Sequence, residues 1–202
     1  AVFEKKDTDG DGVMDDADQC AGTPSGETVD ANGCSNSQKT YVPDNNFEQA
    51  LINLGYDDVL DDYVLTSNIS GLTILSLQNK NISDLTGIED FVNLVQLFAL
   101  QNNLSSIDVT NNTKLETLIL DDNNLSSIDI STLNNLFALT ITLNNLKTIN
   151  TSNNPNLYSL ACSYNIITSL DLSSNLKLDT FYCDSNKLNS LDISNNNNLN
   201  DS

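Results

Sequence analysis

The chain repeats itself every 21 residues. Leu94, Leu115, Leu136, Leu157, Leu178 and Leu199 each stand 21 positions after the last (115 − 94, and so on). Each opens a unit of the form L-x-x-L-x-[LAIC]-x-x-N-x-[LI]-x-x-[IL]-x-[VILT], clearest in Leu115, Leu118, Leu120, Asn123, Leu125, Ile128 and Ile130. A unit this short cannot bury its own leucines, so successive units must stack into a solenoid.

The spacing is that of leucine-rich repeats. One turn needs about five residues for a strand and a few for each corner, too little remaining for a return helix of ordinary length. The return leg is therefore expected to be extended or 3₁₀, and Ser126 to Ser131 alternates in the strand manner. The expected fold is an α/β-class leucine-rich repeat solenoid, right-handed, with short parallel concave strands and few helices. Its array covers residues 72–202. The first unit (Leu72, Leu75, Leu77, Ile82, Leu85) is one residue longer (94 − 72 = 22) and carries Lys80 where later units have asparagine.

Residues 37–71 read as a cap over the open end of the array. Asp44 follows Pro43 as a helix N-cap, Phe47, Ala50, Leu51 and Leu54 recur at helical spacing, and Gly55 stops the run. At the other end the chain stops just after a seventh unit begins, and its start lacks both an initiator methionine and a signal-peptide pattern. It reads as a fragment or processed product.

Residues 1–36 differ from everything after them. They are rich in aspartate and glycine and poor in large apolar groups. Asp7 to Asp18, DTDGDGVMDDAD, places oxygen ligands at positions 1, 3, 5, 7, 9 and 12 of an EF-hand-like loop. These are Asp7, Asp9, Asp11, the backbone carbonyl of Val13, Asp15 and Asp18, with Gly12 at the turn. Alternate carboxylates suit Ca²⁺, a hard cation that takes six to eight oxygens. A solvated acidic tail is the plainer alternative, but it does not require glycine at that place. Position 12 is aspartate rather than glutamate and no helical pattern flanks the loop, so a structural calcium site is expected rather than a sensor.

Cys20 and Cys34 enclose part of this segment, where a disulfide would contribute roughly 3 kcal/mol by loop closure and would imply an oxidising compartment. Cys162 and Cys183 take the sixth position of successive units. Neighbouring strands lie about 4.8 Å apart, within reach of a bridge, but both side chains point inward in register. Buried free thiols are the expectation.

With Cys20, Thr23-Pro24, Gly26, Val29-Asp30 and Gly33-Cys34, residues 7–34 resemble a bacterial thrombospondin type 3 repeat. That resemblance implies an extended, calcium-stiffened extracellular linker. The cap and repeats, from Thr40-Tyr-Val-Pro-Asp onward, resemble leucine-rich repeat proteins of Bacteroidetes and, more distantly, internalins. They imply a secreted or cell-surface, outer membrane-associated protein of diverse function, with no ligand residues to carry over.

Charge narrows the partners. Eight lysines and no arginine stand against 28 acidic residues, a net charge of −20. Such a polyanion repels nucleic acid and anionic lipid, and no apolar stretch is long enough to span a bilayer. The chain also has no histidine, so no side chain titrates near neutrality unless strongly shifted.

The fixed columns of the repeat separate scaffold from candidate surface. Asn102, Asn123, Asn144, Asn165 and Asn186 form an inward ladder that satisfies backbone groups. Asp108, Asp129, Asp171 and Asp192, interrupted by Asn150, suit turn-forming hydrogen bonds on the return leg. The variable concave positions should face solvent, and they yield a candidate ligand face of Phe98, Leu100, Ile119, Asp121, Thr140, Leu143, Tyr164, Tyr182 and Asp184. Apolar and aromatic groups beside carboxylates suit a binding surface.

The expected function is a non-catalytic adhesion module that binds a protein or glycan, with the calcium segment as a stiff spacer. A purely structural spacer of a larger surface protein is the alternative. A polysaccharide-acting enzyme using Asp121, Asp122 and Asp184 ranks below both, and ice binding, hinted only by Thr140-Ile-Thr142, ranks last.

Overall fold

The computed structural model describes residues 5–199. Residues 1–4 of the aspartate-rich segment and 200–202 of the array fall outside that range.

Two short strands and two helices precede the array, in the segment read as its cap: β1 (Lys39–Tyr41), α1 (Asn45–Leu54), β2 (Tyr63–Leu65) and α2 (Thr66–Ile69). Asp44 caps α1 as its position predicts, its Oδ1 accepting the amides of Asn46 and Phe47. Gly55 ends the helix at φ 81°, a conformation glycine adopts without a Cβ penalty. Phe47, Ala50 and Leu51 are buried, whereas Leu54 turns out to be largely exposed. β1 and β2 pair antiparallel.

The same Asp44 side chain joins cap to array. Its Oδ2 accepts the amides of Ser83 and Asp84 and the Ser83 hydroxyl, all in the first coil. Burial opposes ionisation of this carboxyl, but the hydrogen bonds led by Ser83 outweigh it and hold its pKa below the usual carboxylate range.

The array is one sheet of six parallel strands in sequence order: β3 (Ile74–Ser76), β4 (Gln96–Phe98), β5 (Thr117–Ile119), β6 (Ala138–Thr140), β7 (Ser159–Ala161) and β8 (Thr180–Tyr182). The register follows the repeat, with Leu75, Leu97, Leu118, Leu139, Leu160 and Phe181 aligned. The strands are three residues long rather than about five. Ladder bonds continue past them, as in Leu77 N–H to the Phe98 carbonyl and Asn79 N–H to Leu100. The return legs run as turns and extended backbone, and a 3₁₀ turn appears in the first coil at Ile88–Asp90.

The core is the inside of the coil. Leu94, Leu115, Leu136, Leu157 and Leu178 are fully buried, as are Leu97, Leu118, Leu139 and Leu160. Each such side chain contributes about 1.5–3 kcal/mol. The expected asparagine ladder is present. The carboxamide of Asn123, for example, donates to the carbonyls of Ala99 and Leu120 and accepts from Leu104 N–H. Asn102, Asn144, Asn165 and Asn186 repeat the arrangement.

A second buried column was not legible as such. Asn112, Asn154, Asn175 and Asn196 lie under the return leg and donate to carbonyls of the coil before. Leu133 takes this place in the coil between Asn112 and Asn154. In the sequence these residues look like any other asparagine of the corners. The aspartate column behaves as expected: Asp108, Asp129, Asp171 and Asp192 accept the amide two residues on, as does Asn150.

Candidate functional site

The aspartate-rich segment is held by turns rather than by regular elements. Gly10 and Gly12 adopt positive φ (78° and 98°) and reverse the backbone between the aspartates. Asp7 accepts the amides of Gly10 and Gly12, Asp11 Oδ1 accepts Val13 N–H, and Asp9 Oδ2 accepts Gly22 and Thr23 N–H. The Thr23 amide is the main reason that the Asp9 pKa lies low. One oxygen from each of Asp7, Asp9 and Asp11 lies within 4.8 Å of the other two. Three carboxylates this close repel one another unless a cation lies among them.

The other expected ligands stand outside that cluster. Both Asp15 oxygens are taken by Thr8, through its hydroxyl and its amide, and the hydroxyl is the first cause of a lowered pKa. Val13 enters through its amide to Asp11. Asp18 Oδ1 accepts Cys20 N–H, and its carboxylate packs against Gly33, whose Cα also faces Asp11. Asp11 Oδ2 is buried without a partner. The donor set is all oxygen and anionic, which fits a hard divalent ion. Cys20 and Cys34 form the expected disulfide, with Cα atoms 5.0 Å apart, and Thr23 Oγ1 bridges the Cys20 and Gly33 carbonyls to Gln38.

The concave face divides in two. Phe98, Leu100, Ile119, Asp121 and Thr140 are half-buried rather than open to solvent, because neighbouring coils shield them. Asp121 is engaged by the next coil, accepting the Thr140 hydroxyl and the Thr142 amide. Asp184 accepts the Ser163 hydroxyl. Leu143 (50 % exposed), Tyr164 (55 %) and Tyr182 (56 %) are the open apolar members, and Asp184 is exposed beside them.

Backbone geometry singles out two of these. Asn79, Gln101, Asp122, Leu143, Tyr164 and Ser185, one per coil, all hold φ between 54° and 56°. This left-handed conformation costs an L-residue roughly 1–2 kcal/mol, and least for glycine or asparagine. An inward asparagine follows in five of these coils but Lys80 follows Asn79 in the first, so the conformation belongs to the corner that ends each strand rather than to any one side chain. Sequence reading placed this column on the surface but had no signal for its backbone.

An aromatic pair adjoins the strands and was missed altogether. Phe137 and Tyr158, each one residue before its strand, stack with centroids 4.9 Å apart and planes 4° apart. Both remain exposed (49 % and 39 %). In the core, burial pushes the Cys162 thiol up to about 12 and the half-buried Cys183 in the same direction; both are free. No helix among the described residues is long and apolar enough to cross a membrane.

The repeat array is an internalin-like leucine-rich repeat solenoid. Internalin J of Listeria monocytogenes is 30 % identical over 81 residues, 40 % of this chain and 9 % of that protein. The solved functional domain of InlJ from the same organism, described as including a cysteine ladder, matches 80 % of this chain and 46 % of its own length at 27 % identity and TM-score 0.52. An internalin structure, inlF from L. monocytogenes, shares the fold at TM-score 0.72 and 24 % identity, over 79 % of this chain and 48 % of that one. The chain thus spans under half of each of these relatives. No protein-family model matches it.

Proposed function

We propose that the chain is a non-catalytic extracellular binding module, at the cell surface or secreted, whose concave face takes a protein or glycan. In this reading residues 72–202 carry the ligand, residues 37–71 close the array, and residues 1–36 form a calcium-stabilised spacer. Internalin-like domains are typically protein-binding surface modules, and the solenoid offers an open surface rather than an enclosed one.

The observation that carries the reading is Leu143 and Tyr164. Stability alone would favour asparagine or glycine at a left-handed, exposed position. Two successive coils instead carry large apolar groups there, half exposed, beside Tyr182 of β8. A cost borne twice at one place on the surface points to recognition. The thiols support a non-catalytic role: with raised pKa values, neither Cys162 nor Cys183 forms the thiolate that nucleophilic chemistry needs at neutral pH.

For the spacer, Asp7, Asp9 and Asp11 would hold the calcium, with Asp15, Asp18 and the Val13 carbonyl as the remaining expected donors. The ion would neutralise the cluster and stiffen a segment that has almost no apolar core.

The test is a panel of glycans and surface proteins probed with the wild-type chain and with L143N/Y164N. Ligand capture by the wild type and its loss in a variant that folds at least as stably supports the assignment. Equal capture by both places binding elsewhere.

A further inference from the structure

Phe137 and Tyr158 belong to a surface depression at the other end of the strands from the proposed ligand corner. Each ring stands one residue before its strand, whereas Leu143 and Tyr164 stand three residues after the same strands. Six residues of extended chain, up to about 20 Å, separate the two places. Glu116, Asn135, Asn156 and Lys177 line the depression with the rings, and its volume is about 310 Å³. These residues come from four successive coils, which makes it about 14 Å long, three inter-strand spacings.

Its charge is divided between the two ends. Glu116 stands in the first of the four coils and Lys177 in the last, with amides and rings between them. Both are exposed, and neither enters an ion pair among the described residues. Lys177 Nζ donates to Asn156 Oδ1 at 2.7 Å, which holds the cation at the rim. The two rings brace each other, so the apolar middle is ordered before anything binds.

An apolar middle with opposite charges at its ends is complementary to itself. Turned about a two-fold axis across the middle, a second copy brings its Lys177 to Glu116 and its Glu116 to Lys177, with rings against rings. The rest of the chain disfavours such a meeting elsewhere. A net charge of −20 makes copies repel over most of the surface, but here Lys114 and Lys177 offset Glu116 and Asp179 in the same four coils.

We propose that the Phe137–Tyr158 patch is a homophilic contact that takes a second copy of this chain, with Glu116 paired to the partner's Lys177 at each end. Six lining residues a side fall well short of the roughly 20–30 of a standard interface. The pair is therefore transient and forms where copies are concentrated. It leaves Leu143 and Tyr164 open and does not depend on what they bind.

The test is sedimentation velocity of the full chain up to about 1 mM, in about 0.15 M NaCl to screen the long-range repulsion. The wild type should shift toward the dimer as concentration rises. E116K and K177E should each weaken association at least tenfold, because each sets like charges face to face at both ends. An equimolar mixture of the two variants should restore it, since both ion pairs re-form between unlike chains. F137S/Y158S should abolish it. E116K also lowers the net negative charge, so a general relief of repulsion would strengthen association where the proposal expects weakening. A wild type that stays monomeric at about 1 mM overturns the proposal. So does association that E116K leaves unchanged or strengthens, or that the mixture fails to restore.

Discussion

Thr151 Oγ1 donates to Asn175 Oδ1 one coil further on, at 2.7 Å, with both side chains fully buried. The equivalent oxygens of Asn112, Asn154 and Asn196 have no partner. The difference lies 24 positions earlier, where Thr151 is replaced by Ile88 for Asn112, Ile130 for Asn154 and Leu172 for Asn196. Removing the hydroxyl with Thr151→Val should cost about 1–3 kcal/mol by orphaning Asn175. Ile130→Thr supplies Asn154 with the missing donor and should stay within about 1 kcal/mol of wild type. Val109→Thr, which faces Leu133 and meets no carboxamide, should lose about 1–3 kcal/mol. Chemical denaturation of the three variants checks the order; equal losses for Ile130→Thr and Val109→Thr would count against it.

Asp44 joins two tasks in one carboxylate, capping α1 and bonding the first coil. Asp44→Ala removes the helix N-cap and leaves the amides of Ser83 and Asp84, both exposed residues, without their side-chain acceptor, an expected loss of about 1–2 kcal/mol. The cap should separate from the array as a distinct early transition in thermal unfolding. A loss below about 1 kcal/mol, the value of a plain N-cap, would mean that the junction does not depend on this side chain.

The acidic groups split by sign of pKa shift. Those of Asp44, Asp108, Asp129, Asp171 and Asp192 are lowered, the last four by hydrogen bonds from the residue two positions on. Their contribution is present above the unfolded value near about 4 and is lost as pH falls through the folded ones. Asp57 runs the other way: its folded pKa is about 6, so in chelator the cap gains stability as pH falls from about 7 toward 4. The expected profile has its maximum between the two effects. Asp57→Asn should flatten its neutral side; an unchanged slope there would contradict the assignment.

Calcium should protect residues 5–36 from proteolysis far more than it protects the repeats, which have their own core. Gly33 sets the packing of this segment. At φ 81° it faces Asp18 and Asp11, and a methyl there would lie 3.2 Å from Asp11 Oδ2 and overlap the Asp18 carboxylate. Gly33→Ala should therefore reduce calcium protection of the segment while leaving the array's unfolding midpoint unchanged. Equal protection of segment and repeats in the wild type would count against the loop as a calcium site.

Much of the fold was legible because it is periodic. The leucine columns, the Asn123-type ladder and the α1 cap at Asp44 follow from spacing and side-chain type, and the Asp129-type turns follow from local bonding. What escaped depends on distance along the solenoid axis. Phe137 and Tyr158 are unremarked in their own units and become a stack only when the coils lie side by side. The half-burial of Phe98 and Ile119 has the same origin. Nothing in the helix sequence marks Glu48 for burial, which depends on the following loop donating the Asp61 and Tyr63 amides to it. The left-handed column at Leu143 and Tyr164 belongs to the corner of the coil, which no single residue announces.

In the proposed function the ligand sits on the concave face around Leu143, Tyr164 and Tyr182. Hydroxyl-radical footprinting with a ligand taken from the panel tests it most directly, because exposed tyrosines report on both surfaces. Tyr164 and Tyr182 stand on the concave side and Tyr41, 49 % exposed, on the cap. Ligand should protect Tyr164 and Tyr182 and leave Tyr41 as reactive as in the free protein. Protection of Tyr41 with Tyr164 and Tyr182 unchanged would contradict it.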